Sequence, residues 1–207
     1  MKNLQETYEN MNRHLIEDKN PSDYFKGLSE EDGLNEYPFS LLKRLKETEQ
    51  SNVYHPEGSV WNHTMLVIEE AAKVKEKSED ERAFMWAALL HDLGKPDSTR
   101  LRNGKITSYD HDRIGADLAK EFLNHFHEKG KFIKRVSALI RWHMQILHVA
   151  KNSPHSQIKQ MLKEVSIEEM ALLGLCDRLG RGKVDRETEE YYVTLFIQKC
   201  KKEKGIR

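Results

Sequence analysis

Between Ser59 and Lys201 the apolar residues recur at helical spacing, and four of those stripes each carry an ionisable side chain where a hydrophobe belongs. His63 shares a face with Val67, Ala71 and Val74. His91 follows Ala83 and Ala87, His143 follows Val136 and Leu139, and Asp177 follows Met170 and Leu173. Apolar positions three and four residues apart specify amphipathic helices. They also place these four groups on the side that loses water, where an ionisable group needs a partner or a metal. The chain is thereby directed to a helical fold with polar chemistry inside it.

The remaining pattern agrees. Pro38 to Leu45 reads as a short helix, followed by a loop from Glu49 to Gly58. Ser59 to Lys75 is helical, and Ser78 with Glu81 reads as a capping box for a helix that runs apolar through Phe84 to Leu90 and stops near Gly94 and Pro96. Asn103-Gly104 is the favoured pair for a tight turn, so a small β-hairpin is expected over 101–109. Further helices are expected over 112–126, 131–143, 154–163, 167–177 and 188–201. Ser153 ahead of Pro154, and Ser166 with Glu169, supply N-terminal caps. The expected fold class is all-α with one minor hairpin. Residues 1–35, with Tyr8, Met11 and Leu15 on one side of a short helix, read as a partly helical extension to a single domain over 36–207 that ends in a C-terminal helix.

Composition narrows the function classes. Ten histidines stand beside only two cysteines, Cys176 and Cys200, which excludes a disulfide framework and a thiolate-rich zinc site. Lys and Arg total 34 against 34 Asp and Glu, so a general polyanion-binding surface is not expected. No apolar run approaches the ~20 residues of a membrane span. With no apolar signal core in residues 1–31, the expected compartment is the cytoplasm.

Six residues are then candidates for one site: His63, His91, Asp92, His111, His143 and Asp177. Taken singly, a histidine here is also compatible with a hydrogen-bonded core position, and Asp177 with an ion pair to Arg178 or Arg181. Their joint occurrence, with Gly94-Lys95 just after the His-Asp pair, points to a site. Imidazole and carboxylate without thiolate suit a divalent transition metal with open positions for water, and six ligands exceed the share of one open site. Such a centre polarises a phosphoryl oxygen and lowers the pKa of water. Lys95 is placed to neutralise a phosphate oxygen. His55 and Glu57 read either as loop contacts or as parts of a helix entry. Trp61, Trp142 and Cys176 read as core, and His125 and His127 as solvent-facing.

In order along the chain, His63, His91-Asp92 and Asp177 resemble the H…HD…D signature of the HD-domain metal-dependent phosphohydrolase superfamily. Residues 55–64, HPEGSVWNHT, are similar to a stretch in the HD domains of bacterial tRNA nucleotidyltransferases, the CCA-adding enzymes. So are LLHDLGKP at 89–96, and Ser108-Tyr109-Asp110-His111 followed by Gly115-Ala116. The resemblance covers about residues 38–182. It implies His63, His91, Asp92 and Asp177 as metal ligands, with His111 and His143 completing a second metal position or contacting phosphate. Asp92 and Lys95 would be catalytic, and Lys95, Arg181 and His55 would contact substrate. Leu179 departs from the pattern, standing where an Arg is expected after the last ligand. A Gly-rich nucleotidyltransferase motif with paired aspartates is missing, so the resemblance is to an HD module standing free.

The activity so implied is hydrolysis of a phosphoester in a small phosphorylated nucleotide or an RNA 3′ end, of the 2′,3′-cyclic phosphodiesterase, 2′-nucleotidase or phosphatase type. A metal-bound hydroxide would attack phosphorus, using one or two ions of Mn, Ni, Mg, Zn or Fe. Other readings stay open. They are a 5′-nucleotidase, a cyclic-dinucleotide or alarmone hydrolase, a di-iron oxygenase, and a nucleotide-binding regulator with little turnover.

Overall fold

The computed structural model describes residues 4–205. Its helices are α1 (Leu4–Glu17), α2 (Pro21–Glu30), α3 (Ser40–Lys43), α4 (Val60–Ala72), α5 (Glu81–Leu90), α6 (Lys95–Ser98), α7 (His111–His125), α8 (Gly130–Trp142), α9 (Gln145–Ala150), α10 (Ile158–Met161), α11 (Ile167–Leu179) and α12 (Arg186–Lys204). Strands β1 (Thr99–Arg102) and β2 (Lys105–Ser108) pair antiparallel, Thr99 opposite Ser108 and Arg102 opposite Lys105. Asn103 and Gly104 both take positive φ at the turn, the conformation that this residue pair favours. The architecture is the expected all-α fold with one hairpin. Among the described residues no helix is long and apolar enough to cross a membrane.

The arrangement follows from α5. Every residue from Ala83 to Leu90 is buried, and a helix apolar on all sides is stable only inside a core. Helices α1, α4, α8 and α11 surround it. Each large apolar side chain so covered contributes on the order of 1.5–3 kcal/mol. Tyr8 of α1 stacks between Trp86 of α5 and Phe126, with ring centroids at 4.9 and 4.1 Å. Met11 and Leu15 are fully buried beside it. The N-terminal helices thus contribute to the same apolar core as the rest of the chain. Because α5 is central, the residues at its C-terminal end, His91 and Asp92, enter the middle of the molecule.

Several local expectations are corrected. The cap of α5 is Asp80, whose carboxylate accepts from the Ala83 N–H at 3.0 Å; Ser78 instead donates to Glu169 Oε2. Asp80 stands immediately before the first helical residue, where a capping side chain must be. Pro154 does not open a helix, because Ser153 Oγ accepts from the N–H of His155 in a turn and helical structure resumes only at Ile158. The short helices α2 and α9 lie outside the expected set. Pro21 at the first position of α2 is their clearest local signal.

Candidate metal centre

Four local structures bring the six candidate residues together. Ser59 Oγ caps α4 by accepting from the Asn62 N–H, which places His63 in the first turn, fully buried. His91 and Asp92 leave the end of α5, each 1% exposed. His111 opens α7, directly after the hairpin. His143 follows α8, and Asp177 lies in the last turn of α11.

Two close backbone contacts set the distances between them. A Cβ on Gly94 would lie 2.2 Å from the His111 carbonyl oxygen and 2.5 Å from the Gly115 nitrogen, so only glycine lets the start of α7 reach the segment after Asp92. Gly180, just past α11, lies similarly close to Val67 of α4, and its carbonyl is 3.1 Å from His63 Nδ1.

All four rings are held the same way round. Nδ1 meets a backbone carbonyl in each: Gly180 at 3.1 Å for His63, Ala88 at 2.9 Å for His91, Ser108 at 2.6 Å for His111 and Ile140 at 2.7 Å for His143. A carbonyl can only accept, so Nδ1 carries the proton and Nε2 points inward. His63 Nε2 lies 3.0 Å from Asp177 Oδ1 and 3.8 Å from Asp92 Oδ2. His91 Nε2 lies 3.1 Å from Asp92 Oδ2 and 4.0 Å from Asp177 Oδ1. On the other side, Asp92 Oδ1 is 3.6 Å from His111 Nε2 and 3.9 Å from His143 Nε2.

Two donor groups therefore share Asp92. One comprises His63, His91 and Asp92 with Asp177 beside it; the other comprises Asp92, His111 and His143. Within each group of three the donor atoms lie within 4.8 Å of one another. His91 Nε2 and both Asp92 oxygens are buried without an oriented hydrogen bond. Buried polar atoms are normally satisfied, so ligand atoms that converge on one space without oriented hydrogen bonds, although the Lys95 ammonium lies against Asp92 Oδ2, fit a cation.

The charge balance is consistent with this. Burial pushes the Asp92 carboxyl up, but the surrounding His91, Lys95 and His111 outweigh it and hold Asp92 well below the usual carboxylate range. Burial opposes ionisation of Asp177 too, and His63 and Arg181 hold it down in the same way. Burial and the neighbouring His111 and His91 push His143 down to about 4, and burial lowers His111. Both rings are thus neutral at pH 7, the form that ligates. For His63 burial is overcome by Asp177 and Glu57, and its pKa is raised.

The Lys95 ammonium is buried 2.7 Å from Asp92 Oδ2 and donates to Gln50 Oε1 at 2.6 Å. Arg181 Nη2 stands 3.9 Å from Asp177 Oδ2. Arg178 turns away and pairs with Glu189. His55 Nδ1 lies 2.8 Å from Glu57 Oε1, and the same oxygen is 3.1 Å from His63 Nδ1. Glu57, held at about 2 by His55 and His63 against its burial, thus orients a ring of the centre. Its sequence signal is its place in the HPEGSVWNHT stretch, six residues before His63. Gln50 has none, lying 45 residues from its partner Lys95.

Asp92, Lys95, His111, His143 and Asp177 line a cleft of ≈ 490 Å³. Its walls include Gln50, Tyr54, His55, Tyr109, Lys151 and Arg181. Trp61 and Trp142 are buried in the core, and Cys176 is a buried thiol, as expected from the sequence. His14, for which the sequence offers no partner, pairs with Asp18 and stacks on Tyr24.

Comparison with known proteins identifies the family. The chain is 29% identical over 178 residues to a "Multifunctional CCA protein" of Actinobacillus pleuropneumoniae, covering 83% of this chain and 42% of that protein. It is 24% identical over 200 residues to the protein of the same name from Alkalilimnicola ehrlichii, covering 93% and 46%. Over 62 residues it is 42% identical to the "A-adding tRNA nucleotidyltransferase" of Deinococcus radiodurans, 28% of this chain and 14% of that protein. The chain thus spans less than half the length of these relatives. Residues 60–182 match the family described as HD domain, and that match contains all six residues of the centre. The chain belongs to the HD domain family, a superfamily of metal-dependent phosphohydrolases.

Proposed function

We propose that this protein hydrolyses a phosphoester at the end of a nucleotide or RNA, as a 2′,3′-cyclic phosphodiesterase, 2′-nucleotidase or phosphatase. The observation that carries the reading is the sharing of Asp92 between two donor groups at the floor of a cleft, with the Lys95 ammonium beside it. His63, His91, Asp92 and Asp177 would hold one divalent ion, and Asp92, His111 and His143 a second. A divalent ion there supplies Lewis acidity toward a phosphoryl oxygen and acidifies water.

The chain's own groups do the rest. Lys95, fixed by Gln50, neutralises an equatorial phosphoryl oxygen, a role suited to a charged donor held in a site screened from water. Arg181 and His55 bind the substrate from the cleft walls. Asp92 stays ionised, because its surroundings hold its pKa well below the usual carboxylate range. The named relatives are tRNA nucleotidyltransferases and CCA proteins, which supports a nucleotide or RNA-end substrate.

The test is a panel of nucleoside 2′,3′-cyclic phosphates, 2′-, 3′- and 5′-monophosphates and cyclic dinucleotides. It is assayed with EDTA-stripped protein to which Mn²⁺, Ni²⁺, Mg²⁺ or Zn²⁺ is restored. Turnover of the first two substrate types is expected. Turnover confined to 5′-monophosphates or cyclic dinucleotides would replace the substrate class, and oxygen consumption by the iron-loaded protein would replace the reaction.

A further inference from the structure

Although the chain as a whole carries no net charge, the hairpin does. Arg100, Arg102 and Lys105 are exposed, and residues 99–110 contain only one carboxylate, Asp110, at the end away from the turn. The register settles where the cations sit. Arg100 lies opposite Thr107, and Arg102 opposite Lys105. Residues opposite each other, and residues two apart on one strand, share a face of a sheet, so all three cations lie on the face that holds Thr107. Thr107 lines the cleft over the candidate centre, as do Ile106 and Ser108 of the opposite face, so the hairpin borders the cleft along β2. The contact of Arg102 with the cleft-lining Tyr109 brings the cationic face to its rim. Arg100 donates to the Thr99 carbonyl and Arg102 lies over the Tyr109 ring at 4.7 Å, but none of the three cations is ion-paired among the described residues. Tyr109, 63% exposed, and Tyr54, 66% exposed, both line the same cleft.

Unpaired cations beside exposed aromatic rings are the pattern that binds single-stranded nucleic acid: charge follows the phosphates and rings stack on bases. A mononucleotide held at the floor of the cleft leaves this face unused. We propose that the face bearing Arg100, Arg102 and Lys105 binds the nucleotides preceding the terminal one, making the preferred substrate a single-stranded RNA 3′ end rather than a free nucleotide. The inference rests on the phosphoester reading above for its active end and on the hairpin alone for its length preference.

Two measurements on the full chain separate those parts. The first compares kcat/KM for a mononucleoside 2′,3′-cyclic phosphate with that for a hexaribonucleotide ending in the same group. The second follows binding of a fluorescent hexaribonucleotide with a 3′-hydroxyl by anisotropy across a salt series. Both are made on the wild type and on the triple variant Arg100→Thr, Arg102→Thr, Lys105→Thr, in which threonine keeps a strand-compatible side chain. Circular dichroism and Tm verify the variant's fold.

The wild type is expected to prefer the hexamer about tenfold or more, and the variant to lose the preference. The slope of log affinity against log salt should be shallower by about 2 in the variant, three contacts at ~0.7 each. Equal binding of the hexamer by both proteins would overturn the proposal. Displacement of the hexamer by an acidic peptide at equal charge concentration would overturn it in favour of a protein partner. If neither phosphoester turns over while hairpin-dependent binding persists, the phosphoester reading fails and the RNA-binding face stands.

Discussion

The Nε2 atoms of His111 and His143 face each other at 3.2 Å, while the Nδ1 of each ring is fixed on a backbone carbonyl. With both rings neutral, two lone pairs meet head to head. That contact is unfavourable unless a cation lies between the rings and Asp92 Oδ1, which is 3.6 and 3.9 Å away.

The shared carboxylate gives the first prediction. Asp92→Asn weakens both donor groups, so bound metal after dialysis should fall to near zero, with activity down by at least about 100-fold. His143→Ala disturbs one group, so it should about halve the metal and leave the other group loaded. Elemental analysis of the purified proteins checks both. Equal metal loss in the two variants would argue against two groups.

Lys95→Met should behave differently. It removes the ammonium beside Asp92 but no ligand atom, so metal content should be kept while kcat falls about 100-fold. A parallel loss of metal would make Lys95 a support of the centre rather than a substrate contact.

Gly94→Ala joins fold and site. The added methyl meets the His111 carbonyl at 2.2 Å and the Gly115 nitrogen at 2.5 Å, so α7 must move outward. A stability loss of about 1–3 kcal/mol in urea is expected. The metal lost should be that of the His111 and His143 group, leaving occupancy near that of His143→Ala.

Acid sensitivity is expected from the N-terminal contact. Burial alone would raise the Glu128 carboxyl, but bonds from Arg82 and Tyr8 outweigh it and lower its pKa. A carboxylate whose pKa is lower in the folded state contributes stability above its unfolded pKa and loses it as pH falls through the folded value. Urea midpoints at pH 7 and pH 3 should therefore differ more for the wild type than for Glu128→Gln. Parallel pH dependence in both proteins would show that this ion pair adds nothing.

Much of the fold is legible in the order of residues. Helical periodicity marks α4, α7, α8, α11 and α12, where the spacing of the buried residues is local information, and an unbroken apolar run behind its cap marks α5. Asn103-Gly104 marks the hairpin for the same reason. Short helices are less legible: α2 and α9 span only ten and six residues, too short for their own pattern to stand out.

The residue order alone settles which side chains are available for chemistry, since four ionisable residues on apolar stripes have to be buried somewhere. Their convergence is a product of tertiary packing. His63 and Asp177 are 114 residues apart, yet their facing atoms are 3.0 Å apart. The contacts that bring this about, Gly94 on His111, Gly180 on Val67 and Gln50 on Lys95, join segments distant in sequence. So do the cationic face of the hairpin and the cleft it borders. Local propensity fixes where a side chain points on its own helix, whereas the distance between two helices is set by what lies between them.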